Sequence, residues 1–75
     1  MATKPKQPER LMYMHVLFRE GRYPSSQTIH KRLNVSRRTI YRDIQVFKGC
    51  LKAPLAYDPA QRGYYYTQRD WNIFE

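Results

Sequence analysis

Residues 34–52 constrain the fold most, because they carry apolar and cationic side chains at helical spacing. Ser36 is suited to begin this helix, since its hydroxyl can accept a hydrogen bond from an amide of the first turn. One side repeats apolar residues at i, i+4, i+7 and i+11, which is the spacing of a buried helical face. These residues are Ile40, Ile44, Phe47 and Leu51. The sequence therefore predicts one helix whose apolar side lies in a core.

The opposite side of this helix is strongly cationic. Solvated helix faces normally mix charges of both signs, since like charges four residues apart repel. Arg38 and Arg42 are such a pair, Arg37 and Arg38 lie where the helix dipole disfavours cations, and Asp43 is expected near the edge of the buried arc. The pattern favours an external anion, and the phosphates and guanine edges of DNA fit. The residues of this side are Arg37, Arg38, Tyr41, Arg42, Gln45, Lys48 and Lys52.

The charge of the whole chain supports a polyanionic partner. The 75 residues are enough for one small domain, and the net charge is +8, with seven cations and one acid between Lys31 and Lys52. Nucleic acid is the first candidate and an acidic membrane surface the second. No membrane partner is expected, because the apolar face of the main helix is needed in the core and no run of spanning length occurs. We expect a cytoplasmic protein, or a nuclear one in a eukaryote.

The sequence offers no pattern typical of an enzyme. It has no glycine-rich phosphate loop and no recognisable nucleophile–base pair. His15 and His30 lack the partners that a zinc site requires, and Cys50 is alone. We therefore expect no catalytic residue, no cofactor and no metal, with His15 as a packing residue and Cys50 as a small buried thiol.

Two shorter helices precede the main one. The first is expected from Glu9 to Glu20, with Arg10 on the solvated surface. The second is expected from Ser25 to Asn34, where Ser25 caps the start and Asn34 adopts the left-handed conformation that ends it. A short helix, a tight turn and a basic helix form a helix-turn-helix. Inward positions are expected at Leu11, Met14, Leu17, Phe18, Ile29 and Leu33, with Met12 and Val16 widening the first stripe.

After Leu51 the apolar period changes to that of strands. Residues 53–57 and 64–67 predict a β-hairpin around a turn at 58–63, in which Gly63 is free to adopt a positive φ. Tyr64 and Tyr66 share one face, which we expect to cover Leu51 and Leu55.

The two ends of the chain differ in composition from the middle. Residues 1–8 contain two prolines and two lysines and are expected to form a flexible basic arm. Residues 68–75 form an apolar tail in which Trp71, Ile73 and Phe74 need burial, either on the first helix or against another chain or a following domain. Residues 9–67 lie between them as the folded domain.

Two motifs resemble a known family. The segment L-N-V-S-R-R-T-I-Y-R-D-I, from Leu33 to Ile44, resembles the helix-turn-helix signature of DeoR-type bacterial regulators. The segment G-Y-Y-Y-T, from Gly63 to Thr67, is similar to the wing strand of their relatives that carry a WYL effector domain. His30 departs from the small residue usual at its position.

The resemblance implies a winged helix-turn-helix, an α+β and mostly α fold with three helices and a C-terminal β-hairpin wing. It implies sequence-specific binding of double-stranded DNA by a bacterial or phage transcriptional regulator, with residues 36–49 in the major groove and the wing, 53–67, on the backbone or minor groove. A WYL domain would follow if these 75 residues are an excised DNA-binding domain, and a small regulator complete in itself is the other possibility. A homodimer is expected in the full-length protein, because one helix reads only a few base pairs. The DNA contacts carried over are Ser36, Arg37, Arg38, Thr39, Tyr41, Arg42 and Arg62.

Gln45 and Lys48 join these contacts from their place on the cationic side. We expect Arg37, Arg38 and Tyr41 to read bases, and Thr39, Arg42 and Lys48 to hold the backbone. Two alternatives stay open: a winged helix that binds RNA, with its exposed tyrosines stacking on single strands, and a winged helix that binds protein and has lost DNA binding.

Overall fold

The chain folds into three helices followed by a two-stranded antiparallel sheet. The computed structural model describes residues 4–68 and 70–72. Helix α1 spans Gln7–Arg19, α2 spans Ser26–Leu33, and α3 spans Arg37–Gln45 and continues as a π-helical segment, Val46–Cys50. Strands β1, Leu55–Asp58, and β2, Gly63–Tyr66, form the hairpin. This order confirms the expected winged helix-turn-helix. Among the described helices, none has the length and apolarity to cross a membrane.

The core confirms most of the predicted apolar face of α3. Ile40, Ile44 and Phe47 are buried, while Leu51 is partly buried against the same cluster. The other helices and the wing contribute the remaining core side chains, because each has one apolar stripe to remove from water. These are Met14, Phe18, Ile29 and Tyr66.

Helix α1 begins two residues earlier than predicted and buries a narrower stripe. Met14 and Phe18 are buried and Leu11 is partly so, but Met12 and Val16 are exposed, at 37% and 44%. The prediction that Met12 and Val16 widen the buried stripe of α1 was therefore wrong. The reason is that α1 meets the core along one side only, so residues two positions from Met14 point away from it.

Arg10 of α1 is also placed differently from its prediction as surface. Its side chain is 14% exposed and makes an ion pair with Asp43 of α3, which is 1% exposed. Nε of Arg10 donates to Oδ2 at 2.6 Å and one terminal nitrogen donates to Oδ1 at 3.2 Å. Gln7 donates to Oδ1 as well, at 3.3 Å. Asp43 therefore lies inside the fold, beyond the edge at which the sequence placed it, and it ties α3 to α1.

The end of the main helix departs from the single α-helix predicted. From Val46 the chain makes one π-helical turn, in which the amide of Leu51 donates to the carbonyl of Val46 at 3.0 Å. A π turn takes more residues per revolution than an α turn, so later side chains rotate away from the positions of an α-helical wheel. Cys50 is consequently exposed, and its prediction as a buried thiol was wrong.

The first strand and the loop of the wing are shorter than predicted, and the second strand has the predicted length but begins one residue earlier, at Gly63. Leu55 pairs with Tyr66 as expected, and Tyr57 pairs with Tyr64. Tyr66 is buried in the core as well as paired with Leu55. Its ring packs on Phe18, with the ring centroids 5.4 Å apart, and its hydroxyl lies 2.9 Å from Nδ1 of His15. Burial raises the pKa of Tyr66 and lowers that of His15, the latter with help from nearby Arg19. Both groups therefore stay neutral within the core.

The apolar tail returns to α1 as far as it is described. The ring of Trp71 lies 5.9 Å from His15 and 5.2 Å from Tyr66, centroid to centroid, which favours the first of the two expected placements. Ile73 and Phe74, which were expected to need burial too, lie outside the described residues.

Gly63 does not serve as the positive-φ residue of the turn. That conformation belongs to Arg62, at φ 57°, whereas Gly63 begins β2. The glycine is required for another reason, since a Cβ there would lie 1.7 Å from the carbonyl oxygen of Tyr23. Next to this contact the amide of Tyr64 donates to the carbonyl of Pro24 at 2.9 Å, which attaches the wing to the segment before α2.

Gly63→Ala is therefore expected to lower the free energy of unfolding by about 3 kcal/mol, the upper end of the usual cost of overpacking, because backbone must move. Chemical denaturation measures the loss. Gly49→Ala is the matched control, since its Cβ meets nothing within 4 Å. If the two variants had the same free energy of unfolding, the close approach of Gly63 to Tyr23 would not contribute to the need for glycine.

Candidate nucleic-acid interface

Short polar side chains fix the start of α2 and both ends of the turn between α2 and α3. Ser25 and Ser36 cap the two helices, accepting hydrogen bonds from the amides of Thr28 at 3.0 Å and Thr39 at 3.1 Å. Asn34 is left-handed, at φ 55°, as predicted. These caps satisfy amides that a helix start leaves unpaired, so the orientation of α3 follows from local chemistry.

His30 adds a contact across this turn. Its Nδ1 lies 3.2 Å from the carbonyl oxygen of Val35, and the amide of Val35 donates to the carbonyl of His30 at 3.1 Å. The side chain that departs from the small residue of the resembled signature thus fits by bonding to the turn itself.

The solvent face of α3 is cationic. All the residues predicted for the cationic side are exposed, but Lys52 lies beyond the end of the helical segment, at φ 53°, and not on the helix as predicted. The only acid of the helix, Asp43, is buried and paired with Arg10. Within residues 4–68 and 70–72 the two ion pairs are Arg10–Asp43 and Glu20–Arg22, so neither neutralises this face.

Two of the predicted site residues, Ser36 and Thr39, make hydrogen bonds to each other at the start of α3. The hydroxyls of Ser36 and Thr39 lie 2.9 Å apart, and Ser36 also accepts from the amide of Thr39. Thr39 is half-buried. The structure thus places them at the N-terminal edge of the cationic face, next to Arg37 and Arg38, and assigns their hydroxyls to capping.

Arg62 and part of α3 are brought together at a groove of about 500 Å³ between the wing and the start of α2. We call it the wing groove. Arg37 and Tyr41 reach it from α3, and Arg62 reaches it from the wing loop, whereas Arg38, Arg42, Gln45 and Lys48 do not line it. Its full lining is Ser25, Ser26, Gln27, Arg37, Tyr41, Tyr57, Arg62 and Tyr64.

The wing loop holds Arg62 at this place. The side chain of Asp58 accepts hydrogen bonds from the amides of Ala60 at 2.9 Å and Gln61 at 3.4 Å. Such bonding of a carboxylate to its own turn stabilises the loop. Arg62 follows in the left-handed conformation, which directs the chain back into β2.

Several residues of the groove were not found from the sequence. Ser26, Gln27, Tyr57 and Tyr64 were not predicted as site residues, although Tyr57 could have been found from strand alternation, because it shares a sheet face with Tyr64. Ser26 had no such signal: its hydroxyl donates to that of Tyr41 at 3.2 Å across the two helices. Among the described residues, no group of three or more histidine, cysteine or acidic side chains is placed to hold a metal.

Comparison with known proteins agrees with this geometry. The family model described as an HTH domain matches residues 10–65, which include the three helices almost whole and nearly all of the wing. No significant match was found among curated proteins or among solved structures. The matched segment covers well over half of the chain. The protein therefore belongs to the HTH domain family, and its winged three-helix fold is that of a DNA-binding regulatory domain.

Proposed function

We propose that the chain binds double-stranded DNA sequence-specifically as the reading module of a bacterial or phage transcriptional regulator, with residues 36–49 in the major groove. The observation that carries this is the exposed face of α3, whose arginines and lysines have no acid beside them because Asp43 is buried. An α-helix fits the major groove, and arginine binds guanine with two hydrogen bonds. The opposite face of α3 is fixed in the core, so the helix is presented as a rigid rod.

Base reading is assigned to the exposed first turn of this helix, outside the wing groove. Arg38 lies outside the wing groove and is free of ion pairs among the described residues, which supports a role at base edges. Arg42, Gln45 and Lys48 follow along the same exposed face and serve the backbone and flanking bases. The hydroxyls of Ser36 and Thr39 hold the helix start, where the first-turn amides can meet a phosphate.

The resemblance to DeoR-type regulators extends this proposal. A single helix reads few base pairs, so useful specificity calls for a homodimer on two half-sites, ~34 Å apart if they are one helical turn apart. In full-length relatives of this type a WYL effector domain follows, and residues 68–75 would then be the connection to it. Residues 1–8 would add backbone contacts as a basic arm.

Selection of bound duplexes from a random pool tests the proposal directly. We expect an enriched motif of a few base pairs per half-site, with two-fold symmetry if the chain binds as a dimer. The affinity for the enriched duplex should fall steeply with added salt, because cations released from the phosphates drive binding. Recovery of no motif, together with an affinity insensitive to salt, would contradict the proposal.

Arg38→Ala is expected to weaken binding to the selected duplex by about 1–3 kcal/mol, since it removes one bidentate guanine contact. Discrimination against a scrambled duplex should fall by a similar factor. Titration of both duplexes at one salt concentration measures this. Lys31→Ala, which removes an exposed cation from α2, is the control and should leave discrimination unchanged. If Arg38→Ala still preferred the selected duplex over the scrambled one as strongly as the wild type does, Arg38 would not read a base.

RNA is the alternative partner that a specific observation favours. Tyr41 and Tyr57 are about half exposed, at 48% and 49%, beside two arginines in the wing groove. Exposed tyrosines next to cations suit the stacking of unpaired bases. Competition among duplex DNA, single-stranded RNA and structured RNA, at one salt concentration, separates the two functions. Preference for either RNA over the selected duplex would favour the alternative.

A further inference from the structure

The wing groove joins parts of the chain that lie far apart in sequence. Arg37 comes from the first turn of α3, Arg62 from the loop of the wing, and Ser26 from the first turn of α2. No acidic residue lines the groove. Asp58, which follows Tyr57 at the start of the wing loop, directs its carboxylate to the amides of that loop. Two guanidinium groups therefore share a concave surface without a counter-charge on it.

The rest of the lining consists of hydroxyl-bearing and amide side chains. Ser26 bonds to Tyr41 at 3.2 Å, which holds the tyrosine against α2 at the floor between the two helices. Tyr57 and Tyr64 form the wall on the wing, with ring centroids 5.1 Å apart. Burial, with smaller contributions from Tyr41 and Tyr57, raises the pKa of Tyr64, so its phenol keeps its proton and can act as a donor.

This lining suits a phosphate diester better than a base edge. Base edges present both donors and acceptors, whereas a phosphate presents acceptors only, and arginines and hydroxyls are its usual partners.

We propose that the wing groove holds a single backbone phosphate of the bound duplex, with Arg37 and Arg62 as its two charge partners. The inference rests on the proposed function and names which part of the DNA this site takes. Arg37 and Tyr41 then position the protein on the backbone and do not read bases, contrary to the role that the sequence pattern favoured for them. Arg38 is left as the base-reading arginine of the first turn.

The test uses the salt dependence of binding by the whole chain. Arg37→Ala and Arg62→Ala should each weaken binding to selected and scrambled duplexes by the same factor, and each should reduce the slope of log K against log salt by clearly less than about 1, because the remaining arginine still neutralises the phosphate. The double variant should lose about 1, and not about 2, because both arginines neutralise the same phosphate. Arg32→Ala, an exposed arginine that lines a different groove between α1 and α2, is the matched control for loss of one charge.

A second measurement locates the phosphate. Methylphosphonate, which lacks the negative charge, is substituted one position at a time along each strand of the selected duplex. One position in each half-site should weaken wild-type binding about tenfold, as expected for loss of a charge-assisted hydrogen bond. The same substitution should have no effect on the double variant. Thermal unfolding of every variant verifies that the fold is intact.

Four results would overturn the inference. One is an altered base preference in Arg37→Ala, together with an unchanged salt slope in the double variant. Another is two methylphosphonate-sensitive positions within one half-site, one lost in Arg37→Ala and the other in Arg62→Ala. The third is loss of single-stranded RNA binding in both variants while duplex affinity is retained, which would make the groove a base-stacking site. The last is a wild-type protein without salt-dependent duplex binding, which refutes the proposed function itself and is thereby distinguished from the other three.

Discussion

Asp43→Ala is expected to lower the free energy of unfolding by about 3 kcal/mol. Removing one partner of a buried ion pair typically costs 3–5 kcal/mol, since the remaining charge is left without compensation. The lower end applies because Arg10 is 14% exposed and can turn part of its guanidinium to water. Gln7 loses an acceptor as well. Urea denaturation measures the loss, which is a large part of the stability of so small a domain.

A double-mutant cycle separates the ion pair from the packing around it. Replacing both partners, as Arg10→Met with Asp43→Leu, should restore much of the loss, because apolar pairs of similar volume often replace buried ion pairs without cost. Asp43→Asn retains the shape and one acceptor, and should fall between the wild type and Asp43→Ala. If Asp43→Ala unfolds at the wild-type urea concentration, the pair does not connect α1 to α3 energetically.

Phe18→Ala is expected to be the most destabilising apolar substitution, at about 3–5 kcal/mol. The ring is 2% exposed and contacts three others, with centroids 5.3 Å from Phe47, 5.4 Å from Tyr66 and 6.4 Å from Tyr64. It therefore joins α1 to both the π-helical segment and the wing. Its loss leaves a cavity between these elements, and we expect the wing to loosen together with the global loss of stability.

Val16→Ala is the matched control for this substitution. Val16 lies two residues earlier in α1 and is 44% exposed, so its truncation should change the free energy of unfolding by less than about 0.5 kcal/mol. Thermal and urea unfolding of both variants give the comparison. A similar cost at the two positions would mean that α1 packs on the core through a wider stripe than the structure has.

The sequence determined the elements that depend on neighbouring residues. Ser25, Ser36 and Asn34 mark the bounds of α2 and the start of α3, because caps and left-handed ends are set by side chains within three residues of the amides they satisfy. The 3.6-residue period likewise placed Ile40, Ile44 and Phe47 in the core. The cationic side of α3 followed from the same wheel, so the candidate interface was visible before any tertiary contact was known.

The features that depend on residues distant along the chain were decided only by the tertiary structure. Asp43 is paired with Arg10, 33 positions away, and no periodic pattern reports a partner at that separation. Gly63 is required by Tyr23, whose carbonyl approaches from the segment before α2. Met12 is exposed because the packing of α1 against the other elements determines which side of this helix contacts the core.

The wing groove belongs to this second class. Arg37 and Arg62 are 25 positions apart, and the helix wheel placed the first among base-reading residues because a wheel contains no information about the wing. Local spacing determined which side chains face outward, since that is a property of one helix. Which of them line the same groove was decided by the packing of α2, α3 and the hairpin against one core, because only that packing sets distances between separate elements.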